Sequence, residues 1–257
     1  MSSSSEFPKI ALVTGGSRGL GKSTVLHLAK RGADVVFTYR RAQADADAVV
    51  AAVEALGRRA VVLPLDVGDV ASFAGFVTSL RQALRTTLGR EQLDFLVNNA
   101  GLGHHALFAQ TSEAQFDELM SVHFKGPFFL TQALLPLLAD GGRIVNLSSG
   151  LARFAMPGYA AYAAMKGAIE VLSRYLAKEL GSRHIAVNTV APGAIETDFG
   201  GGQVRDNPQL NAFIAGQTAL GRVGVPDDIG AAVASLLSDE NRWINGQRIE
   251  ISGGMFL

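Results

Sequence analysis

Short apolar segments alternate with longer segments of helical periodicity from Lys9 to the end of the chain. The apolar segments are continuous, which is typical of strands buried on both faces of a parallel sheet. In order they are KIALVTG, ADVVFTYR, AVVLPLD, LDFLVNNAG, GRIVNLSS and IAVNTVAPG. Because no linker or repeat divides the series, the sequence predicts one α/β domain over residues 9–257, a doubly wound parallel sheet with helices on both faces. A flexible tail is expected over residues 1–8.

Composition limits the classes of function. The 257 residues are 48% hydrophobic and 18% charged, a balance that predicts a soluble globular protein. The 23 basic and 23 acidic side chains cancel, so we expect neither nucleic acid nor a membrane as a partner. The sequence has no cysteine, which excludes disulfides and zinc–thiolate sites and agrees with a cytoplasmic location. The opening MSSSSEFPK lacks the basic and apolar regions of a secretory signal.

The stretch TGGSRGLGKST, Thr14–Thr24, matches two phosphate-binding patterns. Residues 16–23 fit the loop G-x-x-x-x-G-K-[ST] of nucleoside triphosphate-binding proteins, for which Asp66 would supply a magnesium ligand. Residues 14–21 fit T-G-x-x-x-G-x-G, a dinucleotide-binding turn in which helix N–H groups hold the diphosphate. The stretch alone leaves both patterns open.

Four further motifs follow along the chain. They are NNAG at residues 98–101, Ser149, YAAMK at residues 162–166 and PGAIET at residues 192–197. After a T-G-x-x-x-G-x-G turn and in this order, they resemble the short-chain dehydrogenase/reductase family, and the late NGQRIEISGG is similar to that family's closing strand. The resemblance covers about residues 9–257. It implies a Rossmann-type sheet, a nicotinamide cofactor and hydride transfer.

Tyr162 and Lys166 are four residues apart in a predicted helix, so both stand on one face. A phenol with a pKa of about 10 needs a nearby cation to act as a base near neutral pH, and Lys166 would supply it. The resemblance implies that Tyr162 exchanges a proton with the carbonyl or alcohol oxygen, that Ser149 hydrogen-bonds this oxygen, and that Lys166 binds the nicotinamide ribose. Ser148 competes with Ser149, but a spacing of thirteen residues from Tyr162 favours Ser149.

His123 departs from the family pattern. In HFKG it occupies the place where family members usually carry an Asn that helps to hold a proton-relaying water. We include His123 among the expected catalytic residues. Its backbone carbonyl could still hold the proton-relaying water, while its imidazole would replace the amide of the usual Asn. The alternative is that His123 only packs there.

The end of the second predicted strand indicates the form of the cofactor. An acid there would bond the adenosine ribose and exclude a 2′-phosphate. The position instead holds Tyr39, followed by Arg40 and Arg41, and Arg18 lies within the glycine turn. Guanidinium groups suit phosphate, so we predict NADP(H) over NAD(H), with Arg18 and Arg40 as the phosphate contacts and Arg41 in solvent.

The resemblance implies the rest of the cofactor site. The expected contacts are Gly15, Ser17, Arg18, Gly19, Leu20, Arg40, Asp66, Val67, Asn98, Ala100, Gly101, Tyr162, Lys166, Pro192, Gly193, Ile195 and Thr197. By analogy, the substrate pocket is expected to include Leu102, His104, Leu151, Phe154, Met156 and Phe199. No metal is expected, because the adjacent His104 and His105 point apart and lack a third ligand.

Two segments bear on dynamics and assembly. Gly200–Gly202 open a polar, irregular stretch to Gly221, which is expected to be a surface loop or a mobile substrate lid. The predicted helix of Tyr162 is rich in Ala and Gly, which permits close packing of another helix. The resemblance implies a homotetramer or homodimer built on it.

Three functions follow. The first is an NADPH-dependent carbonyl reductase or alcohol dehydrogenase acting on a ketone or secondary alcohol. A 3-oxoacyl-[acyl-carrier-protein] reductase is a variant of it, although LLADGG lacks the expected basic cluster and Arg183 alone is suitably placed. The second is an NADP(H)-binding sensor without turnover, motivated by His123. The third is an NTPase that uses the triphosphate loop.

Overall fold

The computed structural model describes residues 8–257, so the expected tail over residues 1–8 lies outside the described residues except for Pro8. Seven parallel strands form one sheet in the order β3-β2-β1-β4-β5-β6-β7. The strands are β1 (Ile10–Val13), β2 (Asp34–Tyr39), β3 (Ala60–Pro64), β4 (Leu93–Asn98), β5 (Leu138–Leu147), β6 (Ala186–Pro192) and β7 (Arg248–Ile251). The helices are α1 (Gly19–Lys30), α2 (Gln43–Ala55), α3 (Phe73–Ala83), α4 (Glu113–Met120), α5 (Gly126–Leu134), α6 (Ala160–Glu179), α7 (Gln203–Asp206), α8 (Pro208–Gly216) and α9 (Pro226–Leu236). The predicted Rossmann-type fold class is confirmed.

Both faces of the sheet are covered, as the continuous apolar strands predict. In β1, Ile10 and Leu12 face a core that includes side chains of α3, α5 and α6. Ala11 and Val13 face the opposite core, which is built with α1, α2 and α9. Successive strand residues point to opposite faces, so each strand contributes to both cores.

The strand order brings the functional segments together. β1 pairs with β2 on one side and with β4 on the other, so the chain reverses its direction of winding at β1. Ligands of open α/β sheets bind in the crevice at the carboxyl ends of the strands beside such a point. The turn at residues 14–18 and NNAG both follow strands at this edge.

The prediction of an irregular stretch to Gly221 is wrong in part, because α7 and α8 lie within it. Asn207 caps α8 by accepting the N–H groups of Gln209 and Leu210, each over 3.1 Å, and Pro208 begins the helix. The sequence did carry a signal for α8, because Leu210, Phe213 and Ile214 stand at helical spacing after Asn207 and Pro208. The preceding Gly200–Gly202 all have φ between 61° and 77°.

Candidate active site

The turn after β1 is shaped by close backbone approach. Gly15 has a φ of 67°, a conformation that favours glycine, and an added Cβ would lie 3.0 Å from Ala100 Cα. Its N–H donates to Thr38 Oγ1 over 3.1 Å, which ties the turn to β2. In the first turn of α1, a Cβ on Gly21 would lie 2.1 Å from the carbonyl oxygen of Gly15. These two positions therefore require glycine.

Two residues without an assigned role in the sequence analysis join this turn to β4. Thr14 Oγ1 accepts the backbone N–H groups of Asn99 and Ala100, each over 3.0 Å. In return, Asn99 Nδ2 donates to the carbonyl oxygens of Thr14 over 2.8 Å and of Gly15 over 3.2 Å. Thr14 belongs to the T-G-x-x-x-G-x-G turn and Asn99 to NNAG, and these motifs were the available sequence signal that the two residues join the turn to β4.

Two of the side chains that a triphosphate loop would use, those of Ser23 and Asp66, are engaged elsewhere. Ser23 is buried, and its Oγ donates to Asp227 Oδ1 of α9 over 2.6 Å. Asp66 Oδ1 accepts the N–H of Gly68 over 2.9 Å within a turn. Residues 14–21 therefore fit the dinucleotide pattern rather than the triphosphate loop.

The start of α1 fits a diphosphate group. Arg18 precedes the helix without a side-chain cap, and within this described helix the first turn holds no acidic side chain. The free N–H groups and the positive end of the helix dipole therefore suit an anion. Ser17 is buried in the turn, and Leu20 is half-buried. An added Cβ on Gly19 would lie 3.6 Å from the Thr197 methyl group, so PGAIET lies beside the turn.

Arg18 and Arg40 follow β1 and β2, which are neighbours in the sheet. Arg18 Nη1 lies 3.9 Å from Asp198 Oδ2, and Arg40 Nη1 lies 3.9 Å from Asp66 Oδ2. Ion pairs of this length between exposed side chains are weak, which leaves both guanidinium groups accessible to a phosphate. Tyr39 ends β2 where an acid would repel such a group.

Asn98 belongs to a buried network. Its Nδ2 donates to Thr131 Oγ1 over 3.0 Å and to Asn146 Oδ1 over 2.8 Å, and Asn146 Nδ2 donates to Ser173 Oγ over 2.8 Å. Among the described residues, Asn98 Oδ1 has no partner. The side chain thus joins β4 and β5 to α5 and α6, in addition to any contact with a cofactor.

The other expected cofactor residues lie at the ends of β3, β4 and β6. Val67 is buried, and its carbonyl oxygen is 2.0 Å from where a Cβ on Gly126 would lie. Ala100 is half-buried and Gly101 exposed. The last group follows β6. Pro192 ends the strand, and Gly193 donates its N–H to the Ile251 carbonyl oxygen of β7 over 3.0 Å. Ile195 packs against the core of α1 and α9, and Thr197 Oγ1 accepts the N–H of Phe199 over 3.2 Å.

The structure brings Ser149, Tyr162 and Lys166 together. Ser149 follows β5, while Tyr162 and Lys166 are buried on one face of α6. Lys166 Nζ donates to the carbonyl oxygen of Leu147 over 2.7 Å and lies 5.6 Å from the Tyr162 ring centroid. Ser149 Oγ accepts the N–H of Leu151 over 3.2 Å, so its own proton remains free for another acceptor.

Burial, rather than the charge of Lys166, is the main cause of the shifted pKa values of Tyr162 and Lys166. Burial raises the pKa of Tyr162 well above its ordinary value, and the Ser149 hydroxyl opposes this rise. Burial also lowers the pKa of Lys166 to about 7. The expectation that Lys166 favours the phenolate is therefore not the main effect. Tyr162 carries its proton at neutral pH, as a proton donor must.

Ser148 has a different role from Ser149. It is buried, and its Oγ donates to Glu170 Oε1 over 2.6 Å. Arg248 Nε donates to the same carboxylate oxygen over 2.7 Å, and Arg248 Nη2 donates to the carbonyl oxygen of Ser149 over 3.3 Å. This network fixes the backbone behind Ser149. Sequence reasoning missed Glu170 and Arg248, since no motif contains their pairing.

His123 lies in a π-helical turn (Ser121–Lys125) between α4 and α5, and it is buried. Its Nε2 lies 2.6 Å from the carbonyl oxygen of Leu102, and its ring meets the edge of Tyr162 at 5.1 Å between centroids. Burial, assisted by the charge of Lys166, lowers the pKa of His123 well below its ordinary value. Among the described residues its Nδ1 has no partner. His123 thus contacts Tyr162 as a neutral ring.

The cavity beside Tyr162 contains part of the expected pocket. His104 lines it next to Tyr162, while Leu151 and Met156 line an adjoining hollow. Phe199 packs on Tyr162 at 5.7 Å between ring centroids. Phe154, which was also expected to line the pocket, instead packs in a separate apolar cluster, with its ring centroid 4.7 Å from that of Phe256. The expected Leu102 packs in the small cluster around Tyr162.

Two observations concern metals and membranes. Within residues 8–257, no group of three or more His, Asp or Glu side chains is placed to hold a metal ion. In the same part of the chain, no helix is both long enough and apolar enough to cross a membrane.

Comparison with known proteins identifies the family. The family model described as Enoyl-(Acyl carrier protein) reductase matches residues 15–256. A hydroxynaphthalene reductase-like protein of Metarhizium brunneum is 36% identical over 270 residues, which cover 99% of each chain. The promiscuous reductase LugOII, which catalyses keto-reduction at C1 during lugdunomycin biosynthesis, has a TM-score of 0.92 and 40% identity, covering 98% of this chain and 99% of its own.

A second solved structure carries a cofactor. The angucycline C-6 ketoreductase LanV with bound NADP has a TM-score of 0.92 and 36% identity, covering 96% of this chain and 95% of its own. The matches to these three proteins cover 96–99% of this chain. The chain therefore belongs to the short-chain dehydrogenase/reductase family of oxidoreductases.

Proposed function

We propose that residues 9–257 form one catalytic domain that acts as an NADPH-dependent carbonyl reductase or alcohol dehydrogenase on a ketone or secondary alcohol. The observation that carries the proposal is the placement of Tyr162. Its ring is buried at the cavity wall, it retains its proton at neutral pH, and it stands with Ser149 and Lys166. A retained proton within reach of a bound carbonyl is what general acid catalysis requires.

The donor set fits NADP(H). The first turn of α1 offers N–H groups to the diphosphate, and Arg18 and Arg40 offer guanidinium groups to a 2′-phosphate. The bound NADP of the similar ketoreductase LanV supports the same choice. When bound, the nicotinamide supplies or accepts the hydride.

The protein's own residues manage the proton. In reduction, the Tyr162 hydroxyl donates its proton to the carbonyl oxygen, and the Ser149 hydroxyl donates a hydrogen bond to the same oxygen. In oxidation, the phenolate form of Tyr162, which has first lost its own proton, accepts the proton of the alcohol. Lys166, whose pKa is about 7, is partly charged near neutral pH and favours the phenolate as the proton leaves. His123 packs against the ring and limits its movement.

The substrate that fits best is a ketone on a ring system rather than an acyl-carrier-protein thioester. The similar proteins named for hydroxynaphthalene and angucycline support this choice. Arg183, the basic residue considered for a carrier protein, donates to Asp140 Oδ1 over 2.7 Å and to the Leu135 carbonyl oxygen over 2.9 Å. Its guanidinium group is thus occupied within the chain.

The assembly we propose is a homotetramer or homodimer in the cytoplasm. Phe128 and Phe129 of α5 and Val171 of α6 are large apolar side chains that the single chain leaves exposed. Contact with a second copy would cover them, as the small residues of α6 also permit. Sedimentation of a monomer at micromolar concentration would contradict this assembly.

The first test of function is NADPH oxidation with a panel of cyclic ketones. Tyr162→Phe should lower kcat at least about a hundredfold, because it removes the proton donor, while NADPH should still raise the thermal midpoint. Tyr175→Phe, an exposed tyrosine on the same helix, is the matched control. Equal turnover by Tyr162→Phe and the wild type would contradict the assigned role. Binding of NADPH without turnover of any ketone would favour the sensor.

The cofactor preference is tested separately. Replacing Arg18 and Arg40 by Ala should weaken the binding of NADPH much more than that of NADH, since only NADPH carries the 2′-phosphate. Arg41→Ala is the matched control, because Arg41 is an exposed neighbour. An unchanged preference in the double variant would refute the assignment of these two arginines.

A further inference from the structure

The space next to Tyr162 has two parts of opposite polarity. The smaller part is lined by Tyr162 together with His104, Thr111 and Gln115. The larger part has a volume of about 310 Å³ and is lined mainly by Leu107, Phe108, Leu151, Met156, Pro157 and Tyr159. Gly158 lines both parts, so they adjoin. A ligand that occupies both would be apolar over most of its surface and would carry a polar substituent at one end.

The polar part contains a histidine–carboxylate pair. His104 Nε2 lies 2.6 Å from Glu118 Oε2 of α4, and the two side chains are 32% and 48% exposed. An ionised carboxylate only accepts hydrogen bonds, so Nε2 carries the proton. In the neutral imidazole, Nδ1 is then an acceptor, and Glu118 fixes this tautomer. In the neutral ring, Nδ1 of His104 therefore accepts a hydrogen bond from a ligand hydroxyl, and in the charged ring it donates to the oxygen of such a hydroxyl.

The neighbouring polar groups already have partners within the chain. Thr111 Oγ1 donates to the carbonyl oxygen of Leu107 over 3.2 Å. The Gln115 amide oxygen already accepts the backbone N–H of Ser112 over 3.0 Å, within a capping box at the start of α4. Tyr162 serves the reacting oxygen. His104 thus supplies the hydrogen-bonding group for a second oxygen of the substrate, separate from the one that is reduced.

Aromatic side chains around both parts favour a planar ligand. Phe199 packs on Tyr162, and Phe108 and Tyr159 line the apolar part. His105 meets the Tyr159 ring edge at 5.1 Å and fills the space beside Gly158, where a Cβ would lie 2.3 Å from its Nε2. Aromatic rings pack well on the faces and edges of flat ring systems.

We propose that His104, oriented by Glu118, is a specificity-determining residue that binds a hydroxyl substituent of a planar, fused-ring ketone while Tyr162 acts on the carbonyl. The proposal rests on the proposed carbonyl reductase function. It adds a second recognition point, so the preferred substrates are hydroxylated ketones rather than their unsubstituted parents.

The experiment compares α-tetralone with its monohydroxylated isomers as substrates. In the wild type, at least one hydroxylated isomer should exceed the parent in kcat/KM by about tenfold, the value of one well-placed hydrogen bond. His104→Ala should remove this advantage, chiefly by raising KM for the hydroxylated isomer, and should lower kcat/KM for α-tetralone by a much smaller factor. Glu118→Gln should remove part of the advantage, since an uncharged amide no longer fixes the tautomer. His104→Gln keeps a hydrogen-bond acceptor and should therefore retain part of the kcat/KM advantage that His104→Ala loses.

A purely structural role of the pair gives a different result. If the pair only ties its loop to α4, His104→Ala would lower the thermal midpoint and reduce both substrates equally. Asp117→Asn, an exposed acid beside Glu118 on α4, controls for the loss of charge and should preserve the preference.

The remaining outcomes separate the two proposals. An unchanged preference in His104→Ala overturns the role of His104. Turnover of other ketones but of no tetralone overturns the substrate class and leaves the proposed function standing. The proposed function itself fails if no ketone shows Tyr162-dependent turnover.

Discussion

Two regions of the same sheet edge are built on different principles. The turn region, residues 14–21 with Asn99, combines side-chain hydrogen bonds with backbone atoms that leave no room for a Cβ at Gly15 and Gly21. The serine region, Ser148 and Ser149 with Glu170 and Arg248, is held by polar side chains. The first therefore fails when volume is added, and the second fails when a hydrogen-bonding group is removed.

The largest expected effect follows from adding one methyl group to the turn region. Gly21→Ala places a Cβ 2.1 Å from the Gly15 carbonyl oxygen, so the start of α1 must move. We expect a loss of about 3 kcal/mol in the free energy of unfolding, measured by urea titration, at the upper end of over-packing costs. Stabilisation by NADPH should also be lost.

Gly19→Ala is the matched variant for this prediction. Among the described residues beyond its own helical turn, the nearest atom to this Cβ would be the Thr197 methyl carbon, at 3.6 Å. Because φ is 53°, the cost of about 1–2 kcal/mol comes from conformation alone. If Gly21→Ala lowered the free energy of unfolding no more than Gly19→Ala, the close approach of backbone atoms would not be what distinguishes the turn region from the serine region.

In the serine region, removing the Glu170 carboxylate should lower the free energy of unfolding somewhat less than Gly21→Ala does. Glu170 accepts from both Ser148 and Arg248, and the Glu170 and Arg248 side chains are only 13% and 23% exposed. Glu170→Ala should lower the free energy of unfolding by about 2 kcal/mol, since Arg248 keeps Glu250 as a partner but loses its more buried one. Turnover should fall as well, because Arg248 holds the Ser149 carbonyl oxygen.

Ser148→Ala separates the hydrogen bond from the charge. It removes one donor and should cost about 1 kcal/mol. If both variants had the same stability as the wild type in urea, the serine region would not depend on its polar network.

A third effect depends on pH. Burial lowers the pKa of Lys166 from 10.5 to about 7. Between these values the unfolded chain binds more protons than the folded one, so stability should rise with pH by at most about 1.4 kcal/mol per unit. The raised pKa of Tyr162 acts in the opposite direction above about pH 10, which limits the window to pH 7–10.

Lys166→Met removes this proton linkage. Its stability should depend less steeply on pH than that of the wild type, in urea titrations at several pH values. Parallel curves for the two proteins would show that Lys166 keeps an ordinary pKa. The surroundings of Lys166 on α6 would then be less buried than its contacts indicate.

The same contrast explains what the sequence could predict. The fold and the shared helix face of Tyr162 and Lys166 could be predicted, because strand composition and helical spacing are local properties. The glycine turn and the catalytic pair were identified through the order of motifs that resembles the family. The partners of Arg248 could not be predicted, since Glu170 and Ser149 lie 78 and 99 residues away in sequence. Spacing also could not show that burial outweighs charge at Tyr162 and Lys166. That balance depends on what packs around them.

The smallest expected effect is a gain in stability at a glycine with open space around it. Gly75 lies within α3, is exposed, and an added Cβ would meet no atom within 4 Å in the part of the chain that the structure describes. Gly75→Ala should therefore stabilise the protein by about 0.5–1 kcal/mol, the difference in helix propensity. The urea midpoint should rise with an unchanged slope and unchanged NADPH binding. A loss of stability would mean that the environment of α3 is more restrictive than its contacts show. Against Gly21→Ala, where the same methyl group is strongly unfavourable, the gain would demonstrate that close approach, rather than glycine as such, distinguishes the turn region.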